Sequence, residues 1–216
     1  MVLLLAIGDL HIPHLSVSLP PKLKKLLVPG KIDQVLCTGN LGGGDEGYEY
    51  LRGIGREVHV VSGEMDEGVK GRWGRSRVVE VGRVRVGLVS AEEAQGAHRI
   101  LNITDAEDNT GDSNNGKNTD NDNEWAGVVG RRLGVDVIVF GGKGLDVREA
   151  DGRLIVRPGS GSVGREKSFV LLDVDGLSGK VTVYMYALGS KDSDGDIEEA
   201  DERVRVEKTT FVVNQS

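Results

Sequence analysis

Residues 7–13, IGDLHIP, follow an apolar run and set Asp9 and His11 two positions apart. Side chains two apart on an extended strand share a face. A carboxylate and an imidazole would then point together at a strand end, which is how a metal-dependent hydrolase begins its site. Two-metal hydrolysis needs several neutral nitrogen or carboxylate ligands around ions ~3.5–4 Å apart. The chain has four histidines, His11, His14, His59 and His98, and none in its last 118 residues. Asp9, His11, Asn40 and Glu64 together supply donors for one weak cation at most. His59 lies in an apolar strand and reads as a satisfied core histidine. His98 borders an acidic stretch and is not expected to bind a metal.

The elements that must position these residues are legible as short apolar runs. VLLLAI (2–7), QVLC (34–37), VHVV (58–61), RVVEV (77–81), RVRVGLV (83–89) and VDVIVF (135–140) predict strands. LIV (154–156), SFVLLDV (168–174), KVTVYMYA (180–187) and RVRVE (203–207) continue the series. Helices are predicted at PPKLKKLLV, with leucines at 23, 26 and 27 on one side, and around Tyr48, Leu51 and Ile54. A third follows Trp125, Val128, Val129 and Leu133, weakened by Gly127 and Gly130 at about 1 kcal/mol each. Alternating strands and helices followed by mostly consecutive strands predict an α/β layered fold with an antiparallel second half.

Charge separates the body from two loops. Residues 102–124 and 189–202 each hold seven acids and one lysine, which leaves 20 acids against 25 Lys and Arg elsewhere. The first stretch has too few apolar residues to offset its ordering entropy and is expected to be a disordered insertion in a single domain spanning 1–216. In the second, Asp192, Asp194 and Asp196 copy the first ligand positions of a calcium loop. Ile197 replaces the required glycine and Arg203 the final glutamate, so an acidic hairpin is expected. No Lys/Arg stripe with interleaved aromatics is present, which argues against nucleic acid. Cys37 is the only cysteine, which excludes an intramolecular disulfide and fits a reducing compartment. The opening apolar run is too short for a signal peptide or a membrane span, so a cytoplasmic chain without membrane insertion is expected. Asn102-Ile103-Thr104 and Asn214-Gln215-Ser216 are read as chance glycosylation patterns.

The segments GDLHIPH, SLPPKLKKLLVPGKIDQVLCTGNL and VHVVSGEMDE, with RPGS (157–160) and SFVLLDV…VTVYMYAL, resemble the vacuolar protein sorting-associated protein 29 family. These are the small subunits of retromer. The resemblance is dense over residues 2–67 and patchy from 90 to 145. It implies the calcineurin-like metallophosphoesterase fold, a layered β-sandwich flanked by helices. Hydrolases of that fold bind two metals through further motifs, and each motif is degraded here. Gly39 is followed by Asn40 where a bridging aspartate is expected. Gly63-Glu64-Met65-Asp66 has methionine in place of the catalytic histidine. Ser90-Ala91-Glu92 and Gly141-Gly142-Lys143-Gly144 lack the remaining histidines. Asp9, His11 and Asn40 are therefore read as vestigial, with no catalytic residue, metal or other cofactor expected. Asp9, Glu64 and Glu92 are expected to converge where the cations would sit, with Lys143 standing in for an ion.

The resemblance also implies a non-catalytic scaffold in endosome-to-Golgi and endosome-to-plasma-membrane transport, held peripherally on the endosomal membrane through its complex. A large helical-solenoid subunit would dock at Ile12, Pro13, His14 and Leu41, and a loop at 90–98 would contribute. Regulators such as Rab GTPase-activating proteins would bind a patch of Leu3, Leu27, Leu171, Tyr184, Tyr186 and Val206. Independently of the resemblance, Tyr184 and Tyr186 alternate with Val183 and Met185, so one strand face is core and the other presents two aromatics with polar tips. The alternative is a residual one-metal phosphodiesterase.

Overall fold

Strand β1 (Val2–Ile7) is apolar on both faces because it lies inside a sheet and is covered on both sides. A computed structural model describes residues 1–42, 45–66, 71–100, 118–164, 166–189 and 203–213. After β1 come α1 (Pro21–Lys24), β2 (Ile32–Cys37), α2 (Glu46–Arg52), β3 (Gly55–Val60), β4 (Ser76–Val81), β5 (Val84–Val89) and α3 (Ala91–Ile100). Then follow α4 (Asn118–Leu133), β6 (Val137–Phe140), β7 (Leu145–Ala150), β8 (Arg153–Pro158), β9 (Lys167–Asp175), β10 (Lys180–Gly189) and β11 (Arg203–Val212). A six-stranded sheet runs β11-β10-β9-β1-β2-β3, and a five-stranded sheet runs β4-β5-β6-β8-β7. β1, β2 and β3 are parallel, as are β5, β6 and β8. β9, β10 and β11 pair antiparallel, as the sequence predicts for its second half.

Period-two alternation sorts each strand between two layers. Leu4 and Ala6 of β1, Val137 and Val139 of β6, and Val181 and Val183 of β10 meet between the sheets. Leu5 and Ile7 face outward and pack with Leu23 of α1 and Leu51 of α2. Ile138 and Phe140 face outward on the other sheet and pack with Trp125 of α4, whose ring meets Phe140 edge-on at 4.9 Å. The order is helix, sheet, sheet, helix.

Several local expectations change. α1 is a single turn, and Leu26 is exposed while Leu23 and Leu27 are buried, because the chain turns toward Pro29 and Gly30. Residues 91–98 belong to α3 rather than to a loop. Ser90 accepts the Glu93 N–H at 3.2 Å and satisfies one of the donors orphaned at that helix end. Strand β7 was not expected: its run LDVREA alternates too weakly to stand out. α4 starts at Asn118, so residues 118–124 enter a helix instead of an insertion. Gly130 lets α4 approach the second sheet closely, since a Cβ there would overlap the Arg153 side chain. The rest of the expected insertion (102–117) and residues 190–202 of the expected acidic hairpin, with its three aspartates, lie outside the described residues, as do both Asn-x-Ser/Thr tripeptides.

Candidate functional site

The parallel strands of both sheets end at one edge of the sandwich, where ligands of open α/β sheets collect. Contact between the two sets of loops is direct: a Cβ on Gly141, after β6, would touch the carbonyl oxygen of Thr38, after β2. Asp9 and His11 stand here, but beyond the end of β1, not on it. Both are left-handed, with φ of 49° and 48°, as is Asn40 at 54°. Such backbone is rare for residues other than glycine and persists only where neighbours hold it.

The neighbours are hydrogen bonds between loops. His11 N donates to the Asn40 carbonyl at 2.9 Å, and Ile12 N to the Leu41 carbonyl at 2.7 Å. Ser160 donates its hydroxyl to the Asp9 carbonyl at 3.2 Å, and Ser162 to the Leu10 carbonyl. The side chain of Asn40 bridges two loops. Its Nδ2 donates to Asp9 Oδ1 at 2.6 Å, and its Oδ1 accepts Met65 N–H at 3.0 Å. Asp66, only 2% exposed, is the residue that sequence reasoning missed. Its Oδ2 accepts the N–H groups of Asn40 and Gly63, both at 2.9 Å, and its Oδ1 accepts Gly42 N–H at 3.4 Å. Gly39 and Gly63 allow this closeness, since a Cβ on Gly39 would overlap the Gly63 backbone. The signal in the sequence was an acid placed three residues after a glycine in an otherwise turn-like segment.

The expected cluster of acids around Lys143 does not form. Glu64 is exposed, and Glu92 pairs with Arg75 at 3.1 Å. Lys143 is exposed and makes no ion pair among the described residues. No group of three or more His, Cys, Asp or Glu residues is arranged to hold a metal ion among the described residues. The residues present do not fit the metal pair that the fold implies. Asp9 is engaged by an amide, and the loop after β6 carries three glycines where ligands are needed.

His59 is half-buried and not satisfied. Neither ring nitrogen has a hydrogen-bond partner, nor does Gln34 Oε1 on the adjoining strand β2. Burial, aided by the Arg77 charge, holds its pKa below the ordinary histidine value, against the opposing pull of Glu57 at 3.7 Å. The side chain of His98 is outside the described residues. Cys37 is buried, which pushes its thiol up to about 12 and removes it as a nucleophile.

The residues expected to contact partners divide by burial. Ile12 and Leu41 are core, so of that group only Pro13 and His14 present surface. Apolar surface beside them comes from residues not singled out by sequence: Leu15 (68% exposed), Val17 (84%) and Met65 (60%). On the outer face of the six-stranded sheet, Leu27 and Leu171 are buried, Leu3 is half-buried, and Val206 is exposed. Tyr184 and Tyr186 are half-buried. Tyr186 stacks on Phe169 at 4.9 Å, and Lys208 lies over the Tyr184 ring at 5.3 Å.

Comparison with known proteins places this arrangement. No family profile matches the chain. Crystallised Vps29 of Chaetomium thermophilum is 32% identical, with a TM-score of 0.72 over 99% of this chain and 98% of the other. The chain belongs to the Vps29 family. Vacuolar protein sorting-associated protein 29 of Schizosaccharomyces pombe is 29% identical, covering 97% of this chain and 98% of its own length. Entamoeba histolytica Vps29, crystallised as a complex with zinc, is 30% identical, with a TM-score of 0.67 over 97% of this chain and 99% of the other. A predicted phosphoesterase of Streptococcus pneumoniae, 16% identical at a TM-score of 0.54 (95% and 98% covered), shares the fold alone. The metallophosphoesterase architecture of this Vps29-family chain is thus the expected one. Among the described residues, no helix is long and apolar enough to cross a membrane.

Proposed function

We infer that this chain is a non-catalytic scaffold subunit of the retromer endosomal sorting complex, acting in endosome-to-Golgi and endosome-to-plasma-membrane protein transport. The observation that carries the reading is Vps29 membership over nearly the whole chain, joined to a strand-end site where the side chains of Asp9, Asn40 and Asp66 bond to the protein itself. The loops at the strand ends receive the large helical-solenoid subunit. Pro13, His14, Leu15, Val17 and Met65 form the apolar surface there, with Ile12 and Leu41 supporting it from below. The outer face of the six-stranded sheet, with Leu3, Tyr184, Tyr186 and Val206 at the surface over Leu27 and Leu171, takes regulators such as Rab GTPase-activating proteins. Aromatic rings with polar tips suit such a face. The chain is cytoplasmic and reaches the endosomal membrane through its complex.

Affinity purification of the tagged chain from its native cell tests the reading. The large helical-solenoid subunit is expected to copurify, and Val17→Asp to reduce its yield at least tenfold. Recovery without that subunit would overturn the assignment.

A further inference from the structure

The hydrolases of this fold draw their strand-end loops together around cations, and a relative of this chain has been crystallised with zinc. In this chain the same loops are joined by protein groups. Asp9 lies in the loop after β1, Asn40 in the loop after β2, and Met65 and Asp66 in the loop after β3. The Asn40 amide touches the other two loops, donating to Asp9 Oδ1 at 2.6 Å and accepting from Met65 N at 3.0 Å. Asp66 closes the connection from below through the N–H groups of Asn40, Gly63 and Gly42.

We propose that the Asn40 amide bridge does the structural work of a metal ion here, so that the site's order is independent of divalent cations. The physical basis is charge balance. A bridging aspartate at position 40 would face the Asp9 carboxylate, and two carboxylates at that distance are stable only with a cation or a proton between them. The neutral amide removes the repulsion and supplies the donor that Asp9 needs. It also engages the Asp9 oxygen that a metal would require. From the other sheet, Gly141, Gly142 and Gly144 offer no side-chain donor to recruit an ion, and Lys143 stands in solvent. This inference does not depend on the scaffold reading: the bridge can hold in a chain that binds no solenoid subunit, and the experiment below involves no partner.

The test uses the purified full chain, dialysed against chelator, with thermal unfolding followed with and without manganese or zinc and metal content measured by mass spectrometry. The wild-type Tm is expected to move by no more than ~1 °C on adding either cation, with no ion retained through dialysis. Asn40→Asp is expected to unfold several degrees lower in chelator and to recover much of that loss with manganese. Asn40→Ala, which removes the bridge without adding charge, is expected to lose several degrees and to ignore cations. If Asn40→Asp does not fold, the other two proteins still decide the matter. A wild-type chain that retains a stoichiometric ion, or gains several degrees from manganese, would overturn the proposal. So would an Asn40→Ala chain as stable as wild type.

Discussion

At the strand ends, the two sheets contribute in opposite ways to the same edge. From the six-stranded sheet come Asp9, His11, Asn40 and Asp66, held in a dense set of bonds between loops. From the five-stranded sheet come Gly141, Gly142 and Gly144, an exposed lysine and the start of α3. Asp9, Asn40 and Asp66 are present where backbone N–H groups or a neighbouring loop use them, whereas glycines stand where only a cation would. A metal-site signature in sequence can therefore report loop architecture rather than chemistry. The outer tyrosine face makes the same point from the other direction: its aromatics are partly spent on packing, as Tyr186 on Phe169 shows.

The largest effect should separate the two sheets. Asp66→Ala strips the acceptor from three backbone donors and should cost about 3–5 kcal/mol by denaturant unfolding, whereas Lys143→Ala should cost less than about 0.5 kcal/mol. Equal losses would erase the contrast. On the tyrosine face, Tyr186→Ala should cost about 2 kcal/mol, more than an ordinary surface change, because the ring stacks on a buried phenylalanine. It should also abolish regulator capture. A cost near zero would make the tyrosine a free docking residue only.

A smaller effect concerns pH and His59 on the edge strand β3. Burial, with the Arg77 charge, disfavours the protonated form of His59 in the fold, and Glu57 opposes it. The unfolded chain takes up a proton near pH ~6.5 that the folded chain refuses, so stability from this group is complete above that pH. It declines as pH falls from there through the lowered folded value. His59→Leu should flatten the stability profile just below pH ~6.5, as read by urea unfolding at each pH. A slope unchanged by the substitution would mean that His59 titrates alike in both states. The smallest effect is expected from replacing residues 102–117 with a short Gly/Ser linker, which should move Tm by no more than about 2–3 °C. Extending the deletion through residue 124 should cost more, since it cuts the first turns of α4 before the buried Trp125.

Much of the fold was legible because its strands are short runs of Val, Ile and Leu whose alternation fixes two faces. β1, β6 and β10 carry that signal plainly. α3 and the first turns of α4 were not legible, because AEEAQGAH and NTDNDNE are polar and no apolar stripe marks them as helical. At the site, residue types were visible but their partners were not. Asp9 looked like a ligand and is an acceptor for Asn40. Asp66 looked like a motif remnant and organises three N–H groups from separate loop positions. The bonds of Asn40 to Asp9 and Asp66 join residues 31 and 26 apart in the chain and depend on left-handed backbone that a linear pattern does not announce.

One assay tests directly the proposal that this phosphoesterase fold serves as a non-catalytic scaffold. Purified wild-type chain and Asp9→Ala should be incubated with an aryl phosphodiester and excess manganese or zinc, with release of the aryl alcohol followed over hours. The two proteins should give the same rate as buffer with metal alone. Cation-dependent turnover by the wild type that Asp9→Ala abolishes would contradict the account.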